Sequence, residues 1–419
     1  MPAPADASLT SFRYAVESTW NTSPTGDYRE LAIISEDLGG DVGMTQSEEI
    51  VSDRTPPDNI QTESGGSGNI VCEAKGGNAV DGNQTWDDFW IGALAPAAGF
   101  SGDATSSSFT TGVTITPANV GGNNDRITLT ISGNTWNGGI GAGNIVAITG
   151  FTGVRAPLNA VYECVSNTSG NTILTLTKGP RVPTSPGVET PTASTPFKAQ
   201  RCGAITNGIV ATSISMERKY SVANEFALLP GFRVGRFRLE LRPKRPVRLT
   251  WTMLGKTETS RTTTISSSVV PFSGRKSFSA VSDMKAYALG EDGHSFALNE
   301  FTLDFTTGVY AQDEQAGTLG PIDIGLGTLG ATGTIGFYYQ AGTIFDWAQT
   351  FTEKSLWFAL LNTTTGDVLG FDLPRVNFKN PRRSTPGKDQ AIKGSVEFQA
   401  ARGTDPISTN SYFARVFRH

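Results

Sequence analysis

Charge is scarce in this chain: Asp, Glu, Lys and Arg make up 17% of 419 residues, and the formal net charge is −5. That balance leaves no basic footprint and excludes tight, non-specific binding to phosphate backbones. Histidine is scarcer still, with only His294 and His419 present. A Ser-His-Asp hydrolase needs one of them beside a nucleophile, and no GxSxG occurs. His294, Asp292 and Ser295 sit in the run GEDGHS, whose residue types form turns. Three cysteines, Cys72, Cys164 and Cys202, are odd in number and far apart. They fit neither a disulfide framework nor a CxxC metal pattern, and Cys72 lies on the apolar phase of a strand, where a small core residue is expected. No apolar run approaches the ~20 residues of a membrane span, so no membrane insertion is expected. The opening MPAPADASLTSFRY lacks a basic segment followed by an apolar one. The expectation is a soluble protein made in a reducing cytoplasm, with no signal peptide. Long amphipathic helical patterns are also missing.

What the chain has instead is glycine, 48 residues of it, with turn clusters at short intervals. That is the composition of an all-β protein, long enough for two or three domains. Residues Phe226–Lys256 carry two strands joined by a Pro/Arg hairpin after a Leu-Pro turn. Phe237, Leu239 and Leu241 alternate with Arg236, Arg238 and Glu240; Val247, Leu249, Trp251 and Met253 alternate with Arg248, Thr250 and Thr252. A period of two with one apolar face marks half-buried antiparallel strands. The pattern recurs at Phe371–Arg402: Val247 follows Pro230 by 17 residues, and Ile392 follows Pro374 by 18. A repeated hairpin points to a repeated domain.

The order of elements supports this. Strands at 31–37 and 69–74 flank a polar stretch whose prolines and glycines favour no extended regular element, and a helix is expected at Thr85–Leu94. The later half repeats the order with strands at 301–306 and 334–339 around a Gly-rich loop, a short helix at 344–351, and a strand at 355–361 matching 213–220. The first half is interrupted by short strands at 127–131, 145–148, 161–165 and 173–176, a small β-barrel or sandwich inserted in a loop. Residues 182–200 are expected as its Pro/Thr-rich exit, and 257–272 as a polar linker between the halves.

Motifs with chemical meaning are few. GLGTLG at 325–330 matches GxGxxG literally, but no βαβ unit surrounds it. Glu48, Glu49, Asp53 and Arg54 lack the spacing that wraps calcium, which leaves a solvated or interface loop. Arg242, Lys244, Arg245 and Arg248, echoed by Arg375, Lys379, Arg382 and Arg383, suit either interface pairing at a sheet edge or contact with a DNA backbone. No catalytic residue, metal or cofactor is expected, and the protein is not read as an enzyme.

The pieces LTSFRYAVESTW, SEEIVSDRTPPDNI, SISMERKYSV and FRVGRFRLELRPKRPVRLTWTMLGK, taken in this order, resemble the phage tail tube proteins, the major tail proteins of long, non-contractile siphophage tails. The likeness covers most of residues 9–262 and the later FDLPRVNFKNPRR to VEFQAA. It implies duplicated β-sandwich modules with short helices, one sheet of each lining a tube. The first module would take 1–104 and 206–262, the inserted β domain 105–205 on the tube exterior, and the second module 263–419. Glu73, Arg238, Glu240, Arg248, Asp304, Lys379, Lys393 and Glu397 would face the lumen. Glu48, Glu49, Asp53, Arg54, Gln312, Asp313 and Glu314 would lie in loops that stack ring on ring.

The resemblance further implies a virion protein, made in the host cytoplasm, whose trimers form pseudo-hexameric rings. Its partners would be other copies of itself, a tape measure protein in the lumen, and tail terminator and tail tip proteins, with double-stranded DNA passing through transiently. Six modules of four strands at about 4.8 Å each give a circumference of roughly 115 Å, a diameter of roughly 37 Å. B-DNA would pass. The alternative from another class is a carbohydrate-binding adhesin or decoration protein, whose cleft the insert could line only with Trp136 and Tyr162 as large candidates.

Overall fold

The computed structural model describes residues 10–49, 55, 58–76, 86–100, 106–110, 112–118, 126–137, 139–168, 170–180, 188–189, 196–220, 225–272, 275–289, 298–313, 315–339, 342–385, 387–388 and 390–419. It is all-β with short helices, and the two halves repeat each other. Within the larger sheet, a run of eight antiparallel strands goes Ser35–Glu36, Asn59–Glu73, Arg248–Gly255, Glu225–Leu241, Leu298–Thr306, Gly330–Tyr338, Lys393–Ala401, Val368–Ser384. Four strands come from each half. The halves join where Arg236–Leu241 pairs with Phe301–Thr306, so there is one sheet and not two.

One face of this run is apolar. Ile70, Trp251, Phe237, Phe305, Ile335 and Val396 are all at most 1% exposed, as period-two alternation demands. Behind them lies a second layer: Thr10–Val16, Ile214–Tyr220 and the start of Glu225–Leu241 in the first half, Met284–Leu289, Lys354–Leu361 and the start of Val368–Ser384 in the second. The helices Asp87–Leu94 and Thr343–Gln349 contribute the remaining apolar side chains. Trp90 touches Trp251 at 4.6 Å and Phe237 at 4.9 Å between ring centroids, and reaches Phe371 of the other half at 5.4 Å.

The repeated Leu-Pro is a crossing point within one strand, where a turn before a strand was expected. Glu225–Leu241 is continuous over 17 residues; its first part pairs with Ile214–Tyr220 and its second with Arg248–Gly255. Pro230 has no N–H for a ladder, and Gly231 adopts φ 72°, so the strand bends out of one sheet into the other there. Val368–Ser384 does the same at Pro374.

Several expectations are corrected. The strand at 31–37 is two pieces, Asp27–Leu31 and Ser35–Glu36, in different ladders. The polar stretch after it is no irregular loop: Gly39–Gln46 pairs with Asn59–Ser67 to form an extended arm, since backbone ladders need no apolar side chains. Pro56 and Pro57 lie outside the described residues. The helix is Asp87–Leu94, with no side-chain cap at Trp86, and Thr85, the expected cap, is outside the described residues. The linker at 257–272 is docked, with Thr259–Arg261 and Ser268–Val270 pairing to the first half. Glu217, fully buried, accepts from Thr264 Oγ1 and the Ile265 amide, both at 2.8 Å.

Residues 106–201 form their own eight-stranded antiparallel sheet, in the order Val188–Glu189, Val113–Ala118, Arg126–Ile131, Ile173–Thr177, Ala160–Thr168, Ile145–Thr149, Phe197–Arg201, Ser106–Phe109. It curls around a core that includes Trp136, Phe151 and Phe197. Two of its strands fall in the segment expected as an irregular exit. The returning chain, Gly203–Thr206, pairs with Arg415–Arg418, which in turn pairs with Val368–Ser384. A short closing strand thus seams the two halves, and its Arg418 donates to Asp87 at the head of the first helix, at 2.9 and 2.5 Å.

Candidate functional site

The polar face of the eight-strand run is the surface that alternation leaves for function. Following directly opposed residues across it gives one row: Glu73, Arg248, Glu240, Thr302, Thr334, Glu397, Lys379. Directly opposed charges in this row are opposite in sign: Arg248 against Glu73 and Glu240, and Lys379 against Glu397. A parallel row holds Arg238 opposite Asp304, and Lys393 stands opposite Tyr338. All eight residues expected on this face therefore lie on strands of the run, and Arg238, Asp304, Lys379 and Glu397 line one shallow depression of about 290 Å³.

Within this face the charges answer one another. Arg238 Nε lies 2.9 Å from Glu240, Arg242 Nε lies 3.4 Å from Glu300, and Asn380 donates to Glu397 at 2.8 Å. Arg236, outside the expected set, is bidentate to Asp304. It stands in phase with Arg238 and Glu240 on the same strand, just past a bulge at Gly235. Arg236, Arg238 and Arg242 thus each have an acidic partner on this face. Since the pair is solvent-exposed, Arg236→Gln is expected to cost under about 1 kcal/mol in a denaturant titration, so that this face can be altered without unfolding the protein.

Four of the expected stacking residues are described. Glu48 and Glu49 are exposed just past the end of the arm strand Gly39–Gln46, and Gln312 and Asp313 are exposed on or beside the short hairpin Tyr310–Gln312 with Asp323–Gly325. Gly320 approaches the arm so closely that a Cβ there would meet Ser64 O at 2.7 Å. A groove of about 520 Å³ is lined by Tyr310 and Ile322, and the neighbouring arm exposes Val42, Met44 and Ile60. Asp53, Arg54 and Glu314 lie outside the described residues. So do His294, Asp292 and Ser295.

Chemistry of other kinds finds little footing among the described residues. None of the three thiols is in a disulfide and all are buried; burial pushes Cys72 well above its ordinary range and Cys164 up to about 12, which leaves these two inert. Trp136 and Tyr162, the aromatics an adhesin reading needs, are each 1% exposed and belong to the core of the 106–201 sheet. They offer a glycan nothing. No helix of the described residues is long and apolar enough to cross a membrane.

A family model described as phage tail tube protein matches residues 7–400, which takes in both halves and the sheet at 106–201. No curated protein matches the chain. A match over that extent, together with the duplicated all-β sandwich, places the chain in the phage tail tube protein family, as a structural protein of the virion that self-assembles into a tube with other tail components.

Proposed function

We propose that three copies of this chain close into a ring with six quasi-equivalent modules, and that rings stack into the conduit through which the genome leaves the virion. The supporting observation is the joint between the halves. There Arg236 stands opposite Thr306 and Leu241 opposite Phe301, so two four-stranded units fuse through a hydrogen-bonded seam. The same seam can be remade between chains, because the run ends in two edges that no further strand of the described residues covers: Ser35–Asp41 on one side and the later part of Val368–Ser384 on the other.

Register makes this specific. Arg236 stands opposite Thr252 as Lys379 stands opposite Glu397, and Thr306 opposite Gly330 as Asp41 opposite Gly65. Carrying the internal seam over to the edges therefore sets Lys379 of one chain against Asp41 of the next, opposite charges across a ladder. Closure by rotation gives a ring. In this reading the first module takes residues 1–104 and 206–262, the second takes 263–419, and 105–205 sits outside the wall. The polar rows face the lumen, where a tape measure protein and then double-stranded DNA pass. Terminator and tip proteins cap the ends, and the arm with Glu48, Glu49 and the 308–332 loop meets the next ring.

Electron microscopy of the purified protein tests this. Hollow tubes with three-fold rings are the expected result; compact monomers at assembling concentrations overturn it. Lys379→Glu is expected to stop ring closure, and adding Asp41→Lys to restore it. Failure of the double variant to recover tubes, with both variants folded, would reject the register.

A further inference from the structure

Between the 106–201 sheet and the second half lies a buried group of five charged side chains that the tube reading does not use. Glu163 comes from Ala160–Thr168 and Lys178 from the turn after Ile173–Thr177; Asp372 is on Val368–Ser384, Asp405 in the turn before Tyr412, and Arg415 on the closing strand. Their side chains are at most 6% exposed. Lys178 Nζ lies 2.7 Å from Glu163, 3.2 Å from Asp372 and 3.5 Å from Asp405. Arg415 Nη2 lies 2.8, 2.5 and 3.5 Å from the same three. Tyr412 Oη donates to Asp372 at 2.7 Å, and Arg415 Nη1 to Gly143 O at 3.2 Å. Apolar residues from both sides surround the group: Ile145, Ala147 and Val161 from the sheet, Trp357, Val368 and Phe417 from the second half. Trp357 also lies under Lys178, 5.3 Å from ring centroid to Nζ.

Three carboxylates and two cations leave one negative charge unmatched in an apolar seam, and an unmatched buried charge is costly. A metal ion is the wrong remedy, because the carboxylate oxygens, within 4.8 Å of one another, already face two fixed cations. A proton is the right one. Glu163 and Asp405 are side-chain hydrogen-bond partners, and two carboxyls share a hydrogen bond only when one of them carries the hydrogen.

We propose that the inserted domain is a proton-locked clasp, fixed to the second half by a protonated Glu163 among Asp372, Asp405, Lys178 and Arg415. It is an integral bracket across the two modules and not a removable decoration. Titration agrees with the geometry. Burial, against the pull of Lys178 and Arg415, raises the Glu163 carboxyl from 4.5 to about 7, with Asp372 and Asp405 adding to the rise. Burial works against the ionised forms of Asp372 and Asp405 too, but Lys178 and Arg415 outweigh it and hold both below the ordinary range. The sign follows. The Glu163 contribution is fully present below about 4.5 and is lost as pH rises through about 7; the aspartate contributions are present above about 3.8 and fail only in stronger acid. The clasp is tightest in mild acid.

Hydrogen exchange on the full chain tests it, read at the amides of Ala160–Thr168 and Arg415–Arg418 and corrected for intrinsic rates. Wild-type protection is expected to fall by up to roughly tenfold per pH unit between about pH 5 and pH 7, the slope of one released proton. In Glu163→Gln, which keeps the neutral form, that slope is expected to vanish. An equal slope in both proteins, or none in the wild type, overturns the proposal. Should the variant not fold, infrared spectra of the wild type decide: a buried carboxylic-acid band present near pH 6 and gone above about pH 8 supports the lock, and its absence at about pH 6 rejects it.

Discussion

A chain in which Asp41–Gly65 is replaced by Asn-Gly is expected to fold normally and fail to form tubes. The replacement suits the geometry, because Gly40 and Gly66 are directly opposed in the arm ladder, and a two-residue Asn-Gly turn closes such a pair. Folding survives because the removed strand residues are mostly exposed, and none is part of the main core. Removal takes away Val42, Met44 and Ile60, the exposed apolar surface of the arm, and uncovers its contact with the 308–332 loop. Circular dichroism and melting within a few degrees of wild type, with sedimentation as single rings or smaller species, is the expected pair of results. Normal tubes from this variant would show that stacking lies elsewhere.

Asp87→Ala is expected to cost about 3–5 kcal/mol, a large share of the roughly 5–15 kcal/mol that holds a typical domain. Asp87 is 2% exposed and accepts from two nitrogens of the Arg418 guanidinium, so its loss removes this carboxylate from a buried guanidinium. The guanidinium also lies 4.4 Å over the Phe100 ring, which cannot replace a carboxylate. Because the cost is mainly that of a stranded charge, Asp87→Ala with Arg418→Met is expected to be more stable than Asp87→Ala alone. Urea midpoints of the wild type, both single variants and the double variant measure this. A double variant as unstable as the sum of its parts would mean that the pair acts through packing alone.

The repeat was legible because its hairpins alternate strictly over one apolar face: Phe237, Leu239 and Leu241 in one copy, Val396 and Phe398 in the other. The polar face followed from the same phase, which takes in Arg236 beside Arg238 and Glu240. The arm was missed for a physical reason. Gly39–Gln46 has no buried face, so nothing in its sequence separates a two-stranded ladder from a loop. Arg415–Arg418 was missed for the opposite reason, since all four residues are buried and no alternation remains. The ion cluster draws on five separate stretches, and no spacing along the chain could have gathered Glu163 with Asp405. The docked stretch at 257–272 looked like a tether because its anchors are hydroxyls and a buried glutamate, not apolar side chains.

Glu225–Leu241 and Val368–Ser384 each belong to both layers of the sandwich, changing ladder at a proline. At about 3.3 Å per residue each spans roughly 55 Å, so a single backbone runs from one layer into the other. Shear between the layers is then resisted by covalent bonds as well as by side-chain packing. A cylinder made of such walls can bend along its length while its bore keeps a fixed cross-section, which is the mechanical demand on a long pipe that must flex without pinching shut.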